Sequence, residues 1–167
     1  MTGSEPVQDF RSRAVTRLRG YFYEDFKIGR VFKHHWGRTI NEGDNSIFTT
    51  LTLNSTPLYF NAEYARAHGH PNVQINPMLV FTTVFGLSVE DLSERGAAFL
   101  GVDDLTYHCP VYPGDTLTAS STVVSRRLSE KNPAQGIATW HTEGFNQHGV
   151  RVIDFKRTNL VYRRKKQ

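Results

Sequence analysis

The chain has 167 residues, 38% of them apolar and 12% aromatic, with a net charge of +4; this is enough for one packed core and short for several. No run is long and apolar enough to span a bilayer as a helix, and the Arg-rich first twenty residues lack the apolar segment of a secretory signal. One cysteine, Cys109, excludes an internal disulfide and fits a reducing, cytoplasmic setting. Met1–Arg19 reads as a polar extension and residues 20–167 as a single domain. The basic ends, Arg11 to Arg19 and Arg163 to Lys166, fit solvated termini first and a phosphate-bearing ligand second. Nucleic acid ranks last, because no helix-turn-helix, zinc or RNA-binding signature accompanies the charge.

Gly20–Ile28 is aromatic and acidic and is expected to pack as a lid on the core. Val31–Ile40 reads as a strand, on which His34 and His35 point to opposite faces and cannot share a metal. Asn41 or Asp44 caps a helix over Asn45–Leu53, with Ile47, Phe48 and Leu51 as its buried face. Pro57 forces Thr56 out of helical geometry, so Asn54–Tyr59 is a turn directly after that helix. Asn61 caps a short helix, Ala62–Ala67.

Asn76-Pro77 is a strong helix start, with Asn as cap and Pro in the first turn. From Met78 to Leu92 apolar residues occupy nearly every face, so this helix is expected to be buried all round. Ala98–Tyr107, Thr116–Leu128, Gly136–Gln147 and Val150–Arg163 read as long antiparallel strands. Turns at Pro113-Gly114-Asp115, Lys131–Gln135 and Asn146–Gly149 separate the last three of them from what precedes. One apolar helix followed by long strands gives an α+β fold, a curved sheet around a helix.

Leu51–Ala65 reads L-T-L-N-S-T-P-L-Y-F-N-A-E-Y-A. It resembles the active-site segment of the MaoC-like acyl-CoA hydratases and dehydratases, a branch of the hotdog-fold superfamily. That segment usually reads D-x-N-P-L-H-x-D before a short helix. Pro110-Val111-Tyr112-Pro113-Gly114-Asp115-Thr116-Leu117 likewise resembles the family's P-V-x-x-G-D-T-L junction. The resemblance runs from Gly20 onward and implies a hotdog fold, a hydro-lyase acting on an acyl-CoA thioester, and at least a homodimer. The opening aromatic run is similar to members that act on branched or dicarboxylic C5 thioesters. No cofactor is implied beyond the coenzyme A of the substrate, and neither a metal nor a membrane or nucleic-acid partner.

The family's reactive pair is altered. The Asp position holds Asn54, which can orient a water but cannot be a base. The His position holds Tyr59, a plausible acid with a reference pKa of about 10. In the family a Gly N–H at the start of the central helix holds the thioester oxygen. That Gly falls on Pro77, which has no N–H. Asn76 or the Met78 N–H must then serve, and Asn76, Pro77, Met78 and His70 are the expected substrate-binding residues.

Asp44, Glu63, His68 and His70 are the available substitute bases, each with a structural role open to it as a cap, a solvated helix residue or loop surface. Zinc between His68 and His70 lacks further ligands. Cys109 is expected to be a small buried side chain. Arg157 is expected to point toward a subunit contact. The competing function is a binding module: an acyl-CoA-holding or partner subunit of hotdog fold without turnover. A thioesterase reading fails because Glu90 and Asp91 lie too far along the helix.

Overall fold

The computed structural model describes residues 19–165; apart from Arg19, the polar extension lies outside the described residues. Its helices are α1 (Glu42–Leu51), α2 (Ala62–Ala67), α3 (Pro77–Leu87) and α4 (Val89–Leu92). Its strands are β1 (Val31–Lys33), β2 (Arg38–Thr39), β3 (Gly96–Tyr107), β4 (Thr116–Leu128), β5 (Gln135–Phe145) and β6 (Arg151–Tyr162). The sheet is antiparallel in the order β1-β4-β5-β6-β3, with β2 paired to β4. This is the α+β hotdog architecture that the pattern and the resemblance imply. Among the described residues no helix is long and apolar enough to cross a membrane.

The period-two alternation is cleanest on β5, where Gly136, Ala138, Trp140, Thr142 and Gly144 are buried and their neighbours are not. Two core clusters follow from it. Val80 and Val84 of α3 meet Leu117, Val152 and Phe155 of the sheet. Phe26, Phe32, Leu92 and Trp140 form the second, closed by the aromatic segment before β1. Gly144 lets α3 approach: a Cβ there would lie 2.7 Å from Val84.

Three expectations are corrected. The expected strand Val31–Ile40 is two short pieces. Pairing with β4 lapses after His34, whose N–H still reaches the Ala119 carbonyl, and resumes at Arg38. The side chains of His34 and Trp36 bond Asp91 and Glu90 of α4. The central helix breaks at Ser88 into α3 and α4, and it is not buried all round. Val80 and Val84 are buried, while Met78, Thr82 and Gly86 are exposed, because the sheet covers one side only. On α1 the buried residues are Asn45 and Thr49. Ile47 and Leu51 are 63% and 77% exposed; they border a groove of about 610 Å³ between α1 and α3.

Candidate active site

The site is assembled by one amide. Asn45 is buried on α1, and its Nδ2 donates to the carbonyls of Tyr59 (2.7 Å) and Gln74 (2.9 Å). Its Oδ1 accepts the Asn76 N–H at 2.8 Å. Asn45 therefore fastens the turn 54–59, the loop before α3 and the α3 cap to a single point. The helix pattern hid this role, because the three partners are 14 to 31 residues away.

α1 ends on a left-handed residue. Leu53 has φ 53°, and the N–H groups of Leu53 and Asn54 return to the carbonyls of Thr50 and Thr49. This is a Schellman closure with leucine where glycine is usual. Asn54 then accepts the Thr56 N–H on its Oδ1 at 3.2 Å, an Asx turn that leads into Pro57. Asn54 lines a shallow recess with Leu53 and Phe60.

A cleft of about 320 Å³ opens at the leading end of α3, between Gln74, Pro77, Tyr107 and Cys109. Tyr107 donates its hydroxyl to the Pro77 carbonyl at 2.9 Å. Burial, and then the neighbouring Tyr59, push the Tyr107 phenol up from its usual value. The Tyr59 carbonyl shares the Asn45 amide with that of cleft-lining Gln74, so Tyr59 lies beside the cleft, while Asn54 faces its own recess. His70 lies behind Gln74, whose amide is 2.7 Å from His70 Nε2, and the Tyr112 hydroxyl is 3.0 Å from His70 Nδ1. Cys109 is half-buried; burial, and then Asp115, raise its thiol above the ordinary value, which disfavours a nucleophilic thiolate.

Every N–H in the first turn of α3 is spent. Met78 N–H goes to Asn76 Oδ1 at 3.0 Å. Leu79 and Val80 N–H both go to the Asn76 carbonyl. Pro77 has none. The one donor left over is Asn76 Nδ2, which is sealed from solvent and without a partner. Of the two oxyanion donors expected at this end, Met78 N–H is therefore occupied and the Asn76 amide is closed off.

The substitute bases are spent on local structure. Asp44 completes the α1 capping box and pairs with Arg38 at 2.9 Å. Glu63 pairs with Arg66, and His68 stacks on Tyr64. Among the described residues no group of three or more His, Cys, Asp or Glu is arranged to hold a metal ion. Two histidine constellations lie elsewhere. On the outer face of the sheet, His108 and His141 both bond Asp154. Burial works against that carboxylate, but the two histidine hydrogen bonds outweigh it and hold Asp154 below the usual range.

Inside, His34 bonds Asp91 (2.6 Å) through Nδ1 and Ser121 (2.8 Å) through Nε2, and Ser121 bonds Thr142. Ser121 is 1% exposed, so this relay is structural despite its serine–histidine–aspartate order. Burial lowers the His34 pKa below 6.5, against the opposing pull of Asp91. The folded state therefore binds that proton less readily than the unfolded chain. Stability is full above about 6.5 and declines as pH falls below it, levelling off under the folded pKa. Urea denaturation between pH 7 and 5 is expected to show this decline. His34→Gln is expected to be less stable at pH 7 and flatter across the interval; an equal slope would remove His34 as the cause.

The fold, with a P-L turn docked on the leading end of its central helix, defines a MaoC-like hotdog protein. Within that class the chain belongs to the mesaconyl-CoA hydratase family, whose model matches residues 1–167. It is 36% identical over 165 residues to the mesaconyl-CoA hydratase of Haloarcula marismortui, covering 98% of this chain and 46% of the relative. It is 35% identical over 145 residues to the beta-methylmalyl-CoA dehydratase of Chloroflexus aurantiacus, covering 87% and 41%. A crystal structure from Chloroflexus aurantiacus, described as a MaoC domain protein dehydratase, superposes with a TM-score of 0.83 at 34% identity, again over 87% and 41%. The chain spans less than half the length of these relatives.

Proposed function

We propose that this chain is one hotdog unit of a hydro-lyase acting on CoA thioesters. The reaction is the reversible addition of water across an enoyl double bond, with hydroxyl to the β-carbon and a proton to the α-carbon. Mesaconyl-CoA and related C5 dicarboxylic thioesters are the first candidates, from the family. The observation that carries the reading is the docking of the 54–59 turn, through Asn45, onto the leading end of α3 beside an open cleft. In this reading Asn54 orients the water from its own recess on the 54–59 turn, and Tyr59 delivers a proton to the α-carbon and recovers the one the water gives up. Asn76, Pro77, Met78 and His70 shape the thioester end. The acyl group extends into the apolar groove between α1 and α3. Coenzyme A enters only as part of the substrate, and the setting is cytoplasmic.

A second hotdog unit completes the site. The outer edge of β3 is twelve residues long and has no partner strand among the described residues, and such edges invite pairing. The relatives' greater length leaves room for a second unit. We assign that unit first to a second copy of this chain. A different chain carrying the Asp/His pair is the alternative, favoured by the spent amides of α3; this chain would then bind the thioester without turnover.

The test uses purified protein with mesaconyl-CoA and crotonyl-CoA, following loss of the enoyl thioester absorbance, with sedimentation to fix the assembly. Turnover of mesaconyl-CoA by a dimer or larger assembly is expected. Thioester binding without turnover selects the binding subunit. Absence of both turnover and binding would overturn the proposal.

A further inference from the structure

Arg157 on β6 is 1% exposed and points inward beneath α3 and α4. Its Nε donates to Asn159 Oδ1 at 2.9 Å and its Nη1 to Ser88 Oγ at 2.9 Å. Its Nη2 donates to Ser93 Oγ. The Phe85 ring covers one face of the guanidinium, 3.9 Å from ring centroid to Cζ. Every one of these partners is neutral. Among the described residues no carboxylate pairs with Arg157.

A guanidinium has five N–H donors, and three are used here, leaving one on each terminal nitrogen. An ion buried without a counter-charge is costly, and proteins rarely keep one unless an anion completes it. Burial alone pulls the Arg157 pKa down to about 10, with no carboxylate acting to raise it. The group still carries its charge at neutral pH.

Arg157 lines a cavity of about 470 Å³, with Ser93 and Asn159 beside it and Phe81, Phe85 and Phe99 as apolar walls. We propose that this cavity is a binding site for a carboxylate on an apolar body, with Arg157 as the counter-ion. The unused N–H on each terminal nitrogen of the guanidinium matches a single carboxylate head, and the aromatic walls match a hydrocarbon chain.

This site is separate from the cleft at the leading end of α3. The helix rises 1.5 Å per residue, so the eleven residues of α3 put the guanidinium roughly 16 Å away. A C5 acyl group held at the leading end falls short of it. The carboxylate therefore belongs either to a free organic acid or to the far end of an acyl thioester long enough to pass from the α1–α3 groove over Thr82, which lines both.

The experiment measures binding, so it stands apart from any assay of hydration. Calorimetry of the full chain compares hexanoate with neutral hexanamide, and sebacyl-CoA with decanoyl-CoA, which lacks the terminal carboxylate. Arg157→Met removes the charge. Ala97→Trp fills the cavity from an exposed wall and leaves the buried network intact; because Ala97 lies on β3, sedimentation checks that its assembly is unchanged, and it then serves if Arg157→Met folds poorly.

Hexanoate is expected to bind at least about tenfold more tightly than hexanamide, and each variant to lose that preference. A matching preference for sebacyl-CoA over decanoyl-CoA assigns the carboxylate to a thioester; its absence assigns it to a free acid. Equal binding of acid and amide, or carboxylate binding that survives Ala97→Trp, would overturn the site.

Discussion

Replacing Asn45 by alanine is expected to lower the unfolding free energy by about 3–5 kcal/mol, because three hydrogen bonds are lost and their partners stay at least partly buried. For a chain of this size that corresponds to a fall in Tm of roughly 10 °C or more. The effect is large for one polar residue because Asn45 is only 1% exposed, so solvent does not reach the groups it holds. The Tyr59 and Gln74 carbonyls and the Asn76 N–H all face the same amide.

Asn45→Asp sharpens the test. The shape is kept, but the donor facing two carbonyls becomes an acceptor. At neutral pH the loss is expected to match or exceed that of alanine. Below the carboxyl's pKa the protonated acid can donate once, and part of the stability returns. Urea denaturation at pH 7 and at pH 4 reads both effects. A loss below about 1 kcal/mol for Asn45→Ala would mean that the turn and the α3 cap hold together without it.

What could be read in the sequence was local. Asn76-Pro77 sets its own helix start, Asn41 and Asp44 close a capping box within four residues, and β5 alternates cleanly enough to assign both faces. The 54–59 turn was legible because Pro57 acts on its immediate neighbour. Asn45 and Arg157 were not legible in their roles, because what buries a polar side chain is a partner far along the chain. Asn45 sat in a helical pattern as one more polar position. Arg157 reads as a strand residue with its charge free for a neighbouring subunit.

The apolar face of α1 misled for the opposite reason. Ile47 and Leu51 are spaced as core residues, yet one chain leaves their groove open. The same holds for the exposed face of α3. Periodicity reports that a face is apolar and is silent on what covers it.

The altered site poses a sharper question, which Pro77 can answer. Restoring Asn54→Asp and Tyr59→His returns an acid and a base, but it returns no donor for the thioester oxygen. Every first-turn amide of α3 is occupied, and position 77 has none. The double variant is therefore expected to gain less than about tenfold in mesaconyl-CoA hydration, since proton transfer without oxyanion stabilisation is incomplete catalysis.

Adding Pro77→Ala is expected to raise the rate about 10²-fold further, the usual worth of one preorganised donor. Pro77→Gly should do the same, since both supply an N–H at the edge of the cleft and differ in backbone freedom. Agreement between them assigns the gain to the amide rather than to flexibility. Asp at position 54 keeps the acceptor for the Thr56 N–H, so the turn survives the exchange. Full activity from the double variant alone would show that the oxygen is already held elsewhere, most simply by a second hotdog unit across β3. No gain from either substitution at Pro77 would show that the missing amide does not limit the rate.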